Sequence, residues 1–153
     1  MADYQRVDLE LLDDGVIEGR FYGAPAAHAA VLWVGGTGGG WDTPARNLYP
    51  TLAAELTGDN IASLRLKFRR PRELEIGVQD VLAGVNYLYH EGFTKLALVG
   101  HSLGGAVVIR AAAESREPIN TVVTLATQSN GTQSVVGQLG PDCSLLLLHG
   151  DTD

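Results

Sequence analysis

Lys95-Leu96-Ala97-Leu98-Val99-Gly100-His101-Ser102-Leu103-Gly104-Gly105-Ala106-Val107-Val108-Ile109 is the stretch whose reading decides the fold. A short apolar run of the kind found in strands buried on both faces enters a turn of small residues, and a helix-prone run leaves it. The glycines two before and two after Ser102 let strand and helix approach without a Cβ collision. So tight a turn strains the backbone at the serine and lifts its hydroxyl into the open. Leu103 opens the helix, where unpaired N–H groups and the helix dipole can receive a developing negative charge. The unit is built to seat a nucleophile.

Outward from it, the chain alternates strands with helices. Residues 4–12 and 16–22 alternate loosely between apolar and polar, and Asp13-Asp14-Gly15 between them has hairpin chemistry. A buried strand over 29–34 ends in the glycine-rich loop 35–40. A helical stretch follows, with Leu48, Leu52, Ala53 and Leu56 on one face and Gly58 as its stop. Further strands are expected over 61–66, 119–126 and 144–149, and a helix over 75–90. The fold class is therefore α/β: a mostly parallel sheet covered by helices on both faces, preceded by an antiparallel hairpin. In such sheets ligands lie beyond the carboxyl ends of the strands, so the loops after residues 34, 66, 99, 126 and 149 are expected on one edge.

The strand, the Gly-His-Ser-Leu-Gly turn and the helix together resemble the α/β-hydrolase superfamily. The chain is similar above all to its small, lidless dienelactone-hydrolase-like and carboxylesterase-like members. That resemblance implies Ser102 as the nucleophile of acyl transfer to a carboxylic ester or related substrate, through an acyl-enzyme. It implies the Leu103 amide as one oxyanion donor. Gly35-Gly36-Thr37-Gly38-Gly39-Gly40 stands where the family carries His-Gly-X-Gly, which makes Thr37 the second donor; glycine in the histidine position is a departure. The same loop spells neither a dinucleotide fingerprint, whose third glycine would be Trp41, nor a phosphate loop, since Gly40 is followed by Trp41-Asp42. The serine itself departs from the cysteine of true dienelactone hydrolases.

His149-Gly150-Asp151-Thr152-Asp153 looks like the family's His-Gly-x-x-Asp, which implies Asp153 as the acid of the triad, with Asp151 as the fallback. The histidine of the triad then belongs after Asp153. Of the four histidines present, His28 precedes a strand at the wrong edge, His90 closes a helix, His101 lies inside the turn and His149 takes a structural place beside the acid. The expectation is a single α/β-hydrolase-like domain over 1–153, cut before its final strand, helix and histidine, and with little or no activity as it stands. The alternative is a non-catalytic α/β-hydrolase-like binding protein that ends at Asp153.

Composition narrows the partners. A formal charge of −7 over 153 residues argues against nucleic-acid binding, and no apolar run is long enough to span a membrane. The only cysteine, Cys143, excludes an internal disulfide, and the polar start lacks a signal core, which makes the cytoplasm the expected location. No cofactor is called for. His149, Asp151 and Asp153 alternate but are too few for a metal centre, so none is expected. Arg65, Lys67, Arg69, Arg70 and Arg72 read as a solvated face in preference to an anion-attracting patch, and Trp41 and Tyr49 as packing beside a helix start. With no lid-sized insertion, a small soluble ester is the expected substrate. The apolar strand over 144–149, uncovered at its outer edge, is expected to promote self-association.

Overall fold

A computed structural model describes residues 3–13, 15–127, 132 and 135–150. Two strands open the chain, β1 (Gln5–Glu10) and β2 (Val16–Tyr22). Their turn is closed by Gly15 N–H donating to the Asp13 carboxylate at 2.9 Å and by Leu11 N–H donating to the Gly15 carbonyl at 2.8 Å. Then follow β3 (Ala29–Val34), α1 (Leu48–Thr57), β4 (Ile61–Leu66), α2 (Leu74–His90), β5 (Lys95–His101), α3 (Leu103–Glu114), β6 (Thr121–Leu125) and β7 (Ser144–Leu148). All seven strands join one sheet in the order β1-β2-β4-β3-β5-β6-β7. The β1/β2 and β2/β4 pairs are antiparallel and every later pair is parallel, as the reading of a hairpin followed by β/α alternation requires. The carboxyl ends of β3 to β7 therefore share one edge.

Period-two alternation divides the strands between two cores. Ala30, Leu32 and Val34 of β3, Leu96 and Leu98 of β5 and Val122 of β6 face α2 and α3, where Val78, Val81, Val85 and Leu88 recur at helical spacing. Trp33 and Val99 point the other way, against Tyr49, Leu52 and Leu56 of α1. Each fully buried aliphatic side chain in these layers stabilises by about 1.5–3 kcal/mol relative to exposure. No helix among the described residues is long and apolar enough to cross a membrane.

The helix carrying Leu48, Leu52, Ala53 and Leu56 and stopped at Gly58 is as expected, with an unannounced entry, whereas the cationic run needs correction. The helix read from Leu48, Leu52 and Leu56 is preceded by Ala45, Arg46 and Asn47, all with positive φ, so the chain enters α1 through a left-handed turn that no glycine announces. The cationic run is not one solvated face. Arg65 is 4% exposed, Lys67 lies 3.8 Å from Glu18, Arg70 lies 3.3 Å from Glu73, and Arg69 bonds Asp80 at 2.6 Å. Strand alternation and the turn after β4 send each cation to a different neighbour.

Asp80 is wholly buried in α2 and accepts both the Arg69 guanidinium and the Arg69 backbone N–H, the latter at 3.0 Å, which pins the loop after β4 to the helix. Burial raises its carboxyl above the ordinary aspartate range, against the hydrogen bonds and charge of Arg69. The folded chain thus holds this proton more tightly than the unfolded chain. The group's contribution to stability is greatest in acid and falls as the pH climbs from the unfolded aspartate value through the raised one. Truncation is a different matter, because it leaves the largely buried Arg69 cation with only the exposed Asp13 carboxylate at 3.6 Å. Asp80→Ala is expected to cost about 3–5 kcal/mol in urea denaturation at neutral pH, and a loss near zero would contradict the assignment.

Candidate active site

Ser102 stands between the end of β5 and the start of α3 with φ 57° and ψ −121°, a conformation rarely open to a residue with a side chain. The turn is clamped on both sides. Ser102 N–H donates to the Leu125 carbonyl of β6 at 3.0 Å, and Gly105 N–H donates to the Ser102 carbonyl at 3.0 Å. A Cβ at Gly100 would strike the Gly104 carbonyl, one at Gly104 would strike the Gly35 carbonyl, and one at Gly105 would strike the Thr127 hydroxyl. Each glycine is there for a close approach. The Ser102 side chain makes no capping bond to α3, and Leu103 is the first helical residue, whose N–H has no intrahelical acceptor.

The loop after β3 lies directly against this turn. A Cβ built on Gly36 would come within 3.1 Å of both the Ser102 Cβ and the His101 carbonyl, so only a bare backbone fits there without displacement. The loop closes on itself: Gly39 N–H donates to the Gly36 carbonyl at 3.3 Å and Asp42 N–H to the Gly39 carbonyl at 3.2 Å. The Asp42 carboxylate accepts Gly36 N–H at 3.1 Å. With that amide taken, the next N–H along the loop is that of exposed Thr37, for which the described residues supply no acceptor. The sequence reading did not single out Asp42. Its one signal was an acid that could fold back on the glycine run preceding it, a bond between residues six apart that has no fixed spacing rule.

The four histidines lie in four different settings. His28 lies at the opposite sheet edge, where its carbonyl accepts the N–H groups of Thr94 and Lys95. His90, at the end of α2, has Nδ1 2.8 Å from the Asn86 carbonyl, and His149 is exposed just beyond β7. His101 Nδ1 is buried without a hydrogen bond, 3.9 Å from the Asp42 carboxylate. No described histidine is hydrogen-bonded to Ser102. Asp151 and Asp153 lie outside the described residues. Among the described residues no group of three His, Cys, Asp or Glu side chains is placed to hold a metal ion.

Of the two aromatics, Tyr49 is core: it is 1% exposed, its ring lies 5.0 Å from that of Trp33, and its hydroxyl donates to the Val34 carbonyl at 2.8 Å. Burial, and next the Asp42 charge, push its phenol pKa upward, with Arg65 opposing. Trp41 instead lines a cavity.

No family model matches the sequence, and no curated protein does. Solved structures do. The dienelactone hydrolase of Anabaena variabilis superposes with a TM-score of 0.76 at 16% identity, over 96% of this chain and 86% of that one. The fold is that of the α/β-hydrolases. The Pyrococcus furiosus esterase Pf2001 gives 0.70 at 15% identity over 97% and 83% of the two chains. Est1E of Butyrivibrio proteoclasticus gives 0.67 at 20% identity over 80% of this chain and 50% of its own. The chain spans 45% of the length of DcsB, whose structure was solved in complex with its substrate analogue. In this α/β-hydrolase fold, the serine turn and the glycine loop occupy the shared carboxyl edge of β3 and β5.

Proposed function

We propose that this chain carries the nucleophile half of a serine hydrolase acting on small carboxylic esters. The observation that carries the reading is Ser102 at φ 57° and ψ −121°, in the strand-to-helix turn that abuts Gly36. Ser102 Oγ attacks the ester carbonyl, and the Leu103 and Thr37 amides receive the oxyanion, each worth about 2.7–4 kcal/mol in the transition state. The alkoxide leaves as the alcohol, an acyl-serine remains, and water releases the acid in a second attack. A histidine, oriented by Asp153 with Asp151 as fallback, takes the serine proton and returns it to the leaving oxygen.

That imidazole comes from outside the described site, given where His28, His90, His101 and His149 lie. Without it turnover is slower by several orders of magnitude, and the 153-residue chain is a poor esterase. The test is covalent labelling by a fluorophosphonate, mapped to the residue. The same placement of the histidines favours a second reading, a non-catalytic binder with a hydrolase fold. Such a binder leaves Ser102 unlabelled even when imidazole is supplied.

Self-association through β7 belongs to the same proposal. Leu146, Leu147 and Leu148 are 50%, 56% and 48% exposed, and β7 is the last strand of the sheet, with one edge unpaired among the described residues. Sedimentation velocity is expected to show concentration-dependent association that Leu147→Glu weakens. A wild-type chain that stays monomeric throughout would contradict it.

A further inference from the structure

Sheet register places Arg6 opposite Arg20 and Arg20 opposite Arg65, a ladder of three cations running across β1, β2 and β4 on one face. Like charges directly opposite on a sheet repel, so such a ladder needs compensation. Arg6 has it, with Asp8 at 3.3 Å and Glu18 at 3.9 Å. Arg20 and Arg65 do not: no described carboxylate lies within 4.0 Å of either. Arg65 is the more demanding case. It is 4% exposed, and its one side-chain hydrogen bond is donated to the Trp41 carbonyl at 3.0 Å. A guanidinium carries five donors, and a buried cation without an anion is costly.

What surrounds the pair is aromatic and hollow. The Arg20 guanidinium carbon lies 4.0 Å from the Trp41 ring centroid and 4.7 Å from that of Tyr4; that of Arg65 lies 5.6 Å from Trp41. Cation–π contact offsets part of the repulsion and holds both forks in place. Between them opens a cavity of about 770 Å³, lined by Arg20, Arg65, Tyr4, Tyr22, Trp41 and the exposed Asp3. Its size and its mixture of aromatic wall with a few polar groups are those of a small-molecule site.

We propose that this cavity binds a small organic carboxylate, whose anionic head is held by Arg20 and Arg65 and whose body lies against Trp41 and Tyr4. Paired guanidinium forks match the planar, two-oxygen geometry of a carboxylate, whose two oxygens can accept from both forks while its single charge offsets one of the two cations. The aromatic wall adds contact area for a flat or apolar body, which inorganic phosphate lacks. Asp3 also lines the cavity, and its carboxylate supplies the second negative charge and repels a dianion more than a monoanion. The proposal stands apart from Ser102 chemistry, since none of the groups that form the cavity is a proposed catalytic group. It is linked to that chemistry by one segment, because Trp41 directly precedes Asp42, the residue that holds the Gly36 amide.

Calorimetric titration of the chain with benzoate, benzamide and inorganic phosphate tests it. Benzoate is expected to bind saturably and at least tenfold more tightly than either benzamide or phosphate, raising Tm by about 3–6 °C at ten times its dissociation constant. Arg20→Gln, at a partly exposed position, and Trp41→Phe should each weaken benzoate tenfold or more, with unchanged far-ultraviolet circular dichroism. Equal binding of benzamide would overturn the carboxylate class, and phosphate binding as tightly as benzoate would overturn the role of the aromatic wall. Absence of benzoate binding, or undiminished binding by a folded Arg20→Gln chain, would overturn the site. Labelling of Ser102 is unaffected by any of these outcomes, so the two proposals fail separately.

Discussion

Gly104→Ala is expected to lower the melting temperature by roughly 6–12 °C, the equivalent of about 3 kcal/mol in a chain of this size. Most single-methyl additions do far less. Here the new Cβ would run into the Gly35 carbonyl and lie 3.2 Å from that of Val34, and both obstacles are backbone at the end of β3. Neither can rotate away as a side chain would, so either α3 slides along its axis or the loop over 35–42 lifts. Sliding is opposed by Val107, Val108 and Ile109, all 3% exposed or less. Lifting separates Gly36 from Ser102 and withdraws the loop amide from the place where an oxyanion would form. One substitution is thus expected to cost both stability and acylation, the first read by circular dichroism melting and the second by labelling rate. A variant that melts within about 1 °C of the parent would mean that the contact between turn and loop is looser than these distances describe.

Much of this was legible in the chain because its signals are local. Gly100 and Gly104 flank Ser102 at the spacing a strand-to-helix turn demands, and the apolar runs that became β3, β5 and β6 lie where β/α alternation needs them. What escaped was set by neighbours distant in sequence or by backbone without a sequence signature. Arg65 and Arg69 sit four residues apart in one cationic run, yet one packs beside Trp41 and the other against Asp80, because the strand ends between them. The left-handed turn at Ala45, Arg46 and Asn47 uses no glycine, so nothing in those residue types announces it. β7 reads as a fully apolar strand left uncovered at its outer edge, and how much of its side-chain surface is bare, about half at Leu146, Leu147 and Leu148, is seen only in the fold. A run of leucines states apolarity and not position, and β7 stands last in the sheet. Asp42 was missed for a related reason: its carboxylate matters through a backbone amide, and amides leave no mark in a sequence.

The largest effect concerns Ser102 itself. Its backbone is held in a strained conformation by the Leu125 carbonyl on one side and by Gly105 on the other, and strain of this kind costs about 1–3 kcal/mol and tends to persist where a site uses it. If that use is nucleophilic attack, the hydroxyl is the one group in the chain that a phosphorus electrophile should find, and Ser102→Ala should abolish the adduct entirely. Activation is the weak link, since no described histidine is hydrogen-bonded to Ser102. The rate should therefore be low and should rise when free imidazole is supplied as a base. The decisive measurement is fluorophosphonate labelling of the chain with and without imidazole, followed by peptide mapping. The account predicts a single slow adduct on Ser102, faster with imidazole and absent from Ser102→Ala. An adduct on another residue, one that survives Ser102→Ala, or no adduct even with imidazole would contradict it.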